Sequence, residues 1–294
     1  MQVSVVLPVF QRQAQGEAAI RSALAQDLDG LEVVVVDDGS DPPFLLPDAL
    51  ARDARLRLVR QAPNRGAAAA RNRGVAEARG SWIAFLDSDD AWQPAKLRAQ
   101  LELAGRSPPL SAIVTGYRRI ELATGEARDL VPMESRDPAD FACGCWFSPG
   151  ATALVPRAAF DRVGPFDETL ERLEDFDWYL RLSLAGGGIA VVPKVAATVH
   201  VGARASNARV ARAVSQLRAK WLGPDSTLAP DIACNLRAAL ALELAASSWF
   251  AGRYTAFLWH LLCSQIARPR PRLHLRRWWR QAPSIPGHPS APAP

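Results

Sequence analysis

The feature that most constrains the fold is an alternation of short apolar runs with amphipathic segments over the first third of the chain. Residues 3–9 and 31–36 are predominantly apolar, and residues 17–26 between them place their apolar side chains on one helical face. A strand that is apolar on both faces is typical of a parallel sheet covered by helices. The pattern therefore predicts strand–helix–strand units that build an open α/β sheet.

The same patterns predict further elements along the chain. In the first half they are strands at 56–59 and 82–86 and helices at 66–78 and 94–104. In the second half they are strands at 111–117, 119–122, 151–155, 189–192 and 197–201, a helix that begins at Pro156, and a helix at 173–184. We divide the chain into two halves of one sheet domain, a helical segment and a loosely held tail rich in Pro, Arg and Trp. Their bounds are 1–115, 116–204, 205–267 and 268–294.

Two clusters of carboxylates directly follow predicted strands. Asp37 and Asp38 come after the second strand, and Asp87, Asp89 and Asp90 come after the fourth strand. The carboxyl ends of parallel strands meet at one edge of a sheet, where the ligands of open α/β folds bind. We therefore expect both clusters to face one cleft.

The run Asp87-Ser88-Asp89-Asp90 concentrates negative charge that a cation would relieve. Carboxylate oxygens suit Mg²⁺ or Mn²⁺, particularly where substrate phosphates share the coordination. An EF-hand calcium loop is excluded, because Trp92 and Arg98 stand at the sixth and twelfth positions, which need Gly and Glu. The alternative for this run is a solvated acidic turn before Pro94. The alternative for the run Asp37-Asp38-Gly39-Ser40 is an ordinary Asp-Gly turn.

Further candidate residues lie in the second half of the chain. Glu174, Asp175 and Asp177 begin a predicted helix, where the helix dipole alone explains acidic residues. A carboxylate there is also a candidate general base toward a hydroxyl group. His200 follows a predicted strand and is either a metal ligand or a packed core residue. The sequence contains no Gly-rich dinucleotide fingerprint or phosphate-binding Lys loop, so a metal would have to neutralise any phosphates.

Composition excludes several classes of protein. Hydrophobic residues make up 49% and charged residues 22%, which argues against a disordered, collagen-like or disulfide-stapled chain. We interpret the four cysteines as reduced thiols. We find no signal peptide and no uninterrupted apolar stretch of the ~18 residues that a membrane-spanning helix needs, so we expect a cytoplasmic protein. The net charge of +5 comes largely from arginines of the tail, and no nucleic-acid reader motif accompanies them, so we expect no nucleic-acid partner.

Together these motifs resemble the family 2 inverting glycosyltransferases of the GT-A fold. The resemblance covers roughly residues 3–200 and rests on several segments in the family's order. They are the strand 3–10, the turn 37–40, Asn64-Arg65-Gly66 with Ala70-Arg71-Asn72, the block 80–90, the segment 163–168, and Glu174-Asp175. It implies an open, mostly parallel twisted sheet flanked by helices, with a C-terminal helical extension. Residues 1–115 would be the half that binds a nucleotide-sugar, and residues 116–204 the acceptor half that carries the base.

The resemblance also implies roles for individual residues. Asp175 would be the catalytic base. Asp38 would contact the nucleobase, Asp87 the sugar or ribose, and Asp89 the diphosphate and a divalent Mn²⁺ or Mg²⁺ ion. His200 stands where some relatives place a further metal ligand. The nucleotide-sugar contacts would be Pro8, Val9, Asp38, Arg71, Asp87, Ser88 and Asp89.

The implied reaction moves a sugar from a nucleotide-sugar donor to a saccharide or lipid-linked glycan, in one metal-assisted displacement that inverts the anomeric carbon. We expect this activity in surface polysaccharide synthesis of the cell envelope. A catalytically silent nucleotide-sugar-binding or scaffold subunit is the alternative. A nucleotidyltransferase ranks third, because residues 11–16 contain a single Gly and a single Arg where such an enzyme grips a triphosphate.

Acceptor contacts are the least constrained part of this hypothesis. We take Glu174, Trp146 and Trp178 as candidates, the two indole rings by stacking on a sugar, with core packing as the alternative for both rings. In the tail, Leu and Trp residues alternate with Arg. Such a segment would rest on an anionic membrane surface near a lipid-linked acceptor, and a tail without any such contact is the alternative.

Overall fold

This computed structural model describes residues 2–202, 206–268 and 279–281. They fold into a mixed sheet with helices packed against it. The strands are β1 (Val3–Val9), β2 (Leu31–Asp38), β3 (Leu56–Gln61), β4 (Trp82–Phe85), β5 (Ala91–Trp92), β6 (Ser111–Glu121), β7 (Ala127–Pro132), β8 (Leu154–Pro156), β9 (Gly188–Val201) and β10 (Trp279–Gln281). The helices are α1 (Gln13–Leu24), α2 (Asp48–Ala51), α3 (Ala67–Glu77), α4 (Lys96–Ala104), α5 (Pro138–Phe141), α6 (Pro149–Thr152), α7 (Arg157–Val163), α8 (Glu174–Leu184), α9 (Asn207–Leu222), α10 (Pro230–Phe250) and α11 (Tyr254–Ala267).

The first half of the sheet is parallel, in the order β3-β2-β1-β4. Val3 pairs with Leu31 on one side of β1 and with Trp82 on the other. This register brings the carboxyl ends of β2 and β4 to the same edge on either side of β1, so the acidic turns that follow them flank one position. The predicted α/β class and the strand–helix–strand units are confirmed.

Small residues on α3 let this helix lie close to the sheet. Ala68, Ala69 and Ala70 are buried, and a Cβ on Gly74 would lie 2.2 Å from a methyl carbon of Val6. Larger side chains at these positions would force the helix away from β1. The close packing holds Arg71, one turn before Gly74, at the carboxyl edge of the sheet.

The second half of the sheet is largely antiparallel, running outward from β4 through β8, β6 and β7 to β10. The exception is β9, which lies parallel to β6 and antiparallel to the short strand β5. Ala91 of β5 pairs with Thr198 of β9. This pairing places His200 beside the turn that carries Asp89.

Several predicted elements differ from the observed ones. The predicted strands 111–117 and 119–122 form the single strand β6, and 189–192 and 197–201 form the single strand β9. The two long strands stay paired across register shifts on either side of Gly116. Because such an irregularity interrupts the apolar periodicity, the sequence predicted two strands in place of each one. Part of the predicted loose tail is a strand, because β10 pairs with β7 at the sheet edge. The remaining tail residues, 269–278 and 282–294, lie outside the described residues.

The helical segment that follows β9 shares a hydrophobic core with the second half of the sheet. Leu217 of α9 and Leu240 of α10 are buried in the same cluster as Phe147, Trp178 and Tyr179. Fully burying one such leucine side chain contributes about 1.5–3 kcal/mol. Among the described residues, no helix is long and apolar enough to cross a membrane. None of the four cysteines, all of which lie within the described residues, forms a disulfide.

Candidate active site

A cleft of 1010 Å³ lies at the carboxyl edge of the parallel strands. All seven residues predicted to contact a nucleotide-sugar line it, and so does His200. The seven are Pro8, Val9, Asp38, Arg71, Asp87, Ser88 and Asp89. The structure thus brings together at one edge the residues that the family resemblance implied.

The carboxylate of Asp38 is buried and accepts four hydrogen bonds from one segment. Its Oδ1 accepts from Gln61 Nε2 at 2.6 Å and from the Arg65 backbone N–H at 2.9 Å. Its Oδ2 accepts from Asn64 Nδ2 at 2.9 Å and from the Gly66 N–H at 2.8 Å. A carboxylate has about four lone-pair sites, so these donors saturate it. Asp38 therefore orders the segment before α3, and a nucleobase would have to share an oxygen that is already bonded.

Asp89 and His200 meet at the opposite wall of the cleft. The ring Nδ1 of His200 lies 2.5 Å from the backbone oxygen of Asp89. A carbonyl oxygen only accepts, so Nδ1 carries a proton, and Nε2 is the ring nitrogen that can offer a lone pair to a metal. Arg12 pairs with Oδ2 of the Asp89 carboxylate at 2.8 Å. Burial, with the nearby charge of Asp87, raises the pKa of Asp90 to about 8, and its Oδ1 accepts the backbone N–H of His200 at 2.9 Å.

The donor set of this wall fits a divalent ion that also binds phosphate. One carboxylate and one imidazole nitrogen, oriented by a hydrogen bond from its other nitrogen, are normal metal ligands. Across the described ranges, no group of three or more His, Cys, Asp or Glu side chains is arranged so that it could hold a metal ion. Asp89 and His200 would therefore supply two ligands, and phosphate oxygens would have to supply others.

Arg71 links this cleft to helix α8. Its guanidinium donates to Asp87 Oδ1 at 2.8 Å and to Glu174 Oε1 at 2.6 Å. One residue further along α3, the Asn72 amide binds the backbone N–H and C=O of Phe166, both at 2.9 Å. These contacts fix the start of α8 against the carboxyl edge of the sheet.

Asp175 lies next to the cleft rather than on its wall. It lines a separate pocket of 10 Å³, about the volume of one water molecule, together with Arg71, Gly150 and Tyr179. Burial, reinforced by the adjacent charge of Glu174, raises the pKa of Asp175 to about 6, although the positive charge of Arg71 opposes the rise. Its Oδ1 accepts the N–H of Phe176 at 2.7 Å. The carboxyl group thus titrates close to neutral pH, as a general base should.

A glycine makes room for Asp87. The backbone oxygen of Gly150 accepts the N–H of Asp87 at 2.9 Å, and a Cβ on Gly150 would lie 2.2 Å from Asp87 Oδ2. The segment is tightly constrained, because Ser148 before it adopts a left-handed backbone with φ of 49° and lines the cleft. Only a residue without a side chain fits against the carboxylate.

The structure corrects the acceptor assignments of Trp146 and Trp178. Trp178 has no exposed surface, and its Nε1 donates to the Gly164 carbonyl at 2.9 Å. Trp146 is 4% exposed and donates to the Met133 carbonyl at 2.9 Å. Both rings pack in the hydrophobic core, so neither face is available to a sugar. Glu174, the third candidate, is bound to Arg71 and does not line the cleft.

Other cleft residues were not anticipated. Arg12 is one of them. It follows β1 closely in the sequence, and that position alone could have indicated a place at the carboxyl edge. Arg172, Glu243 and Phe250 also line the cleft. The last two come from α10, and no local pattern indicates that this helix folds back to form a wall of the site. Burial raises the pKa of Glu243, and the nearby charge of Arg172 opposes the rise.

Comparison with known proteins agrees with this arrangement. Residues 4–164 match the family described as Glycosyl transferase family 2. A Haemophilus influenzae protein named as an uncharacterized glycosyltransferase is 25% identical over 182 residues, which cover 61% of this chain and 61% of that protein. Chondroitin synthase from Escherichia coli is 30% identical over 188 residues, which cover 63% of this chain and 27% of the synthase. The chain thus matches less than two thirds of the length of these relatives.

A solved structure has the same fold. S. aureus TarS residues 1–349, in complex with UDP-GlcNAc, superposes with a TM-score of 0.60 at 15% sequence identity. The alignment covers 90% of this chain and 92% of the TarS chain. At this identity the likeness establishes the fold, and the GT-A architecture expected from the sequence is confirmed.

Proposed function

The chain belongs to glycosyl transferase family 2, and on that premise we propose that it transfers a sugar from a nucleotide-sugar to a hydroxyl of a saccharide or lipid-linked glycan. We propose a single displacement that inverts the anomeric carbon and takes place with a divalent ion. The product would belong to a surface polysaccharide, a proposal that the likeness to chondroitin synthase supports.

One observation carries the proposal. Arg71 binds a carboxylate of the cleft, Asp87, and a carboxylate of α8, Glu174, at the same time. Asp175, the next residue after Glu174, has its pKa raised to about 6 by burial. Through Glu174, Arg71 therefore joins a donor-binding edge to the helix end that carries Asp175, a carboxyl group suited to proton abstraction.

In the proposed reaction, Asp175 accepts the proton of the acceptor hydroxyl while the oxygen of that hydroxyl attacks the anomeric carbon. The bond from that carbon to the diphosphate breaks in the same step, and its electron pair leaves with the diphosphate. Arg71 separates the pocket of Asp175 from the cleft. Binding of donor or acceptor must therefore shift Arg71 or the 148–150 segment before the base meets the hydroxyl.

A divalent ion bound by Asp89 and His200 would supply positive charge for the leaving diphosphate. Arg12, which pairs with the Asp89 carboxylate, adds a fixed positive charge to the same wall. These side chains give the site a cationic end for phosphates and an acidic end at α8 for the acceptor.

The test is sugar transfer or slow donor hydrolysis by the purified full chain, measured over a panel of nucleotide-sugars with Mn²⁺. We expect turnover with one donor class, and a loss of about 100- to 10,000-fold in Asp175→Asn with donor binding retained. Asp161→Asn, on the neighbouring helix α7 and outside the cleft, is the matched control. Binding of a nucleotide-sugar with no turnover in the unaltered chain would favour the silent-subunit alternative instead.

A further inference from the structure

Helix α11 presents an apolar face to solvent. We call this face the apolar stripe; its residues are between 51% and 71% exposed and stand at positions i, i+4, i+5, i+8 and i+12 of the helix. They are Tyr254, Leu258, Trp259, Leu262 and Ile266. The buried residue of this helix is Ser264, a polar one. A surface helix normally turns its polar side to water, whereas α11 exposes apolar side chains there.

The stripe continues onto the end of α10. Trp249 and Phe250 are 50% and 54% exposed. The Trp249 ring packs edge-on against Tyr254 and Phe257, with centroid distances of 5.3 and 5.1 Å. These contacts hold the exposed rings in one continuous surface. A contiguous exposed apolar surface of this kind marks an interaction site.

The amino-acid sequence that carries the stripe is basic. Residues 244–294 contain seven arginines and no Asp, Glu or Lys. Arg253 is exposed at the start of α11. Arg218 of α9 lies close enough to His260 for its charge to add to burial in lowering the pKa of that ring. An occupant of the stripe would therefore meet apolar side chains with the positive charge of Arg253 at one end of them.

We propose that the apolar stripe binds the surface of an anionic lipid bilayer, with α11 lying along the interface. Aromatic and aliphatic side chains on one face, flanked by arginine, are the composition of interfacial helices. Fourteen residues extend about 21 Å, which is shorter than the ~30 Å hydrocarbon core, so the helix would rest on the membrane rather than cross it.

A second copy of the chain fits the stripe less well. A two-fold interface puts the same patch on both sides, so it would bring two surfaces of the same positive charge together. Like charges brought together across an interface oppose association. An anionic bilayer instead neutralises them.

Docking would also orient the cleft. Phe250 belongs to the exposed apolar surface and also lines the cleft. Ser247, about one turn earlier on α10, lines the cleft as well. The cleft mouth would thus lie at the membrane surface. The docking proposal itself does not depend on the transferase activity.

The test is flotation of the full chain with phosphatidylcholine vesicles, prepared with and without phosphatidylglycerol. We expect flotation with the anionic vesicles, weakened by added salt because the arginine contribution is screened. Leu258→Gln/Trp259→Gln/Leu262→Gln should reduce the bound fraction at least about tenfold. Leu45→Gln/Leu122→Gln is the matched control, because these leucines are 69% and 60% exposed elsewhere on the surface.

Two outcomes would overturn the proposal. One is equal flotation of the stripe variant and the control. The other is an unaltered chain that fails to float with the anionic vesicles. If that chain is dimeric by light scattering and becomes monomeric in the stripe variant, the occupant is a second copy. If the triple variant does not fold, brominated lipids provide a second measurement. Their quenching of tryptophan fluorescence should be smaller in Trp259→Phe than in the unaltered chain, and equal quenching contradicts docking through the stripe.

Discussion

Arg71 donates a 2.6 Å hydrogen bond to Glu174, a residue 103 positions away in the sequence. The guanidinium is buried on α3, and the carboxylate lies at the start of α8. Through its other terminal nitrogen Arg71 also holds Asp87. A planar guanidinium presents several donors at fixed angles, so it bridges two carboxylates in a way that a lysine cannot. This bridge links the edge of the cleft that carries Asp87 to the start of α8.

The raised pKa of Asp175 predicts the pH dependence of transfer. A general base must be deprotonated, and this carboxyl group has its pKa raised to about 6. We expect kcat/KM to fall about tenfold per pH unit below pH 6 and to level off above it. Rates measured over a pH series, with near-UV circular dichroism to verify folding at each pH, check this. A rate that stays flat down to pH 4 would exclude Asp175 as the base.

The positive charge of Arg71 lowers the pKa of Asp175, so removing it should move that acid limb. In Arg71→Gln we expect a slower enzyme whose acid limb lies above pH 6, because burial and Glu174 are then opposed only by the Phe176 hydrogen bond and the charge of Arg172. The same pH series measures the shift. Arg73→Gln, which loses an exposed ion pair with Glu77 on the same helix, should leave the limb in place.

Asp175 also predicts a stability effect. Its pKa is higher in the folded chain than its usual value of 3.8, so the folded state binds more protons between about pH 4 and pH 6. Stability therefore falls as pH rises through this window and stays lower above it. Asp175→Asn keeps the acceptor for the Phe176 N–H, and at pH 7 its free energy of unfolding should exceed that of the parent by roughly 3 kcal/mol at most. Urea unfolding at pH 4 and pH 7 should show the difference between variant and parent only at the higher pH.

The orientation of His200 predicts a loss of metal affinity when it is removed. If its free Nε2 binds the ion, His200→Ala should weaken Mn²⁺ binding in the presence of UDP by about 10- to 100-fold. Titration calorimetry with UDP and Mn²⁺ measures this. His260→Ala, on α11 and outside the cleft, should titrate like the unaltered chain. If His200→Ala and His260→Ala bind Mn²⁺ with equal affinity, His200 is not a ligand of the ion.

The contact between Gly150 and Asp87 predicts a steric effect on donor binding. In Gly150→Ala the new methyl group would displace the Asp87 carboxylate, and overpacking of this kind costs about 1–3 kcal/mol. We expect weaker nucleotide-sugar binding and a lower melting temperature. Gly105→Ala is the control, because its Cβ would meet only ordinary contacts at 3.8 and 4.0 Å. Unchanged donor affinity in Gly150→Ala would mean that Asp87 does not contact the donor.

The buried ring of Trp178 predicts a stability role. Trp178→Ala should lose about 3–5 kcal/mol of unfolding free energy, measured by urea denaturation. The more conservative Trp178→Phe should keep the acceptor KM of the unaltered chain, because the ring has no exposed surface. A raised acceptor KM in Trp178→Phe with normal stability would restore the stacking role that the sequence suggested.

The amino-acid sequence by itself determined the parallel half of the sheet and the residues at its carboxyl edge. Apolar strands alternating with amphipathic helices admit few arrangements, and parallel strands place their ends together. Asp38, Asp87 and Asp89 follow such ends, so their common cleft was predictable from chain position alone.

Only the tertiary structure decided which groups face that cleft and which lie behind it. Local periodicity shows that a face is apolar but not what covers it, so it could not separate the buried ring of Trp178 from the exposed ring of Trp259. Nor could it place Asp175 in a pocket behind Arg71, or bring Phe250 of α10 to the cleft. These relations join segments distant in the chain, and the packing of α8 and α10 against the sheet fixes them.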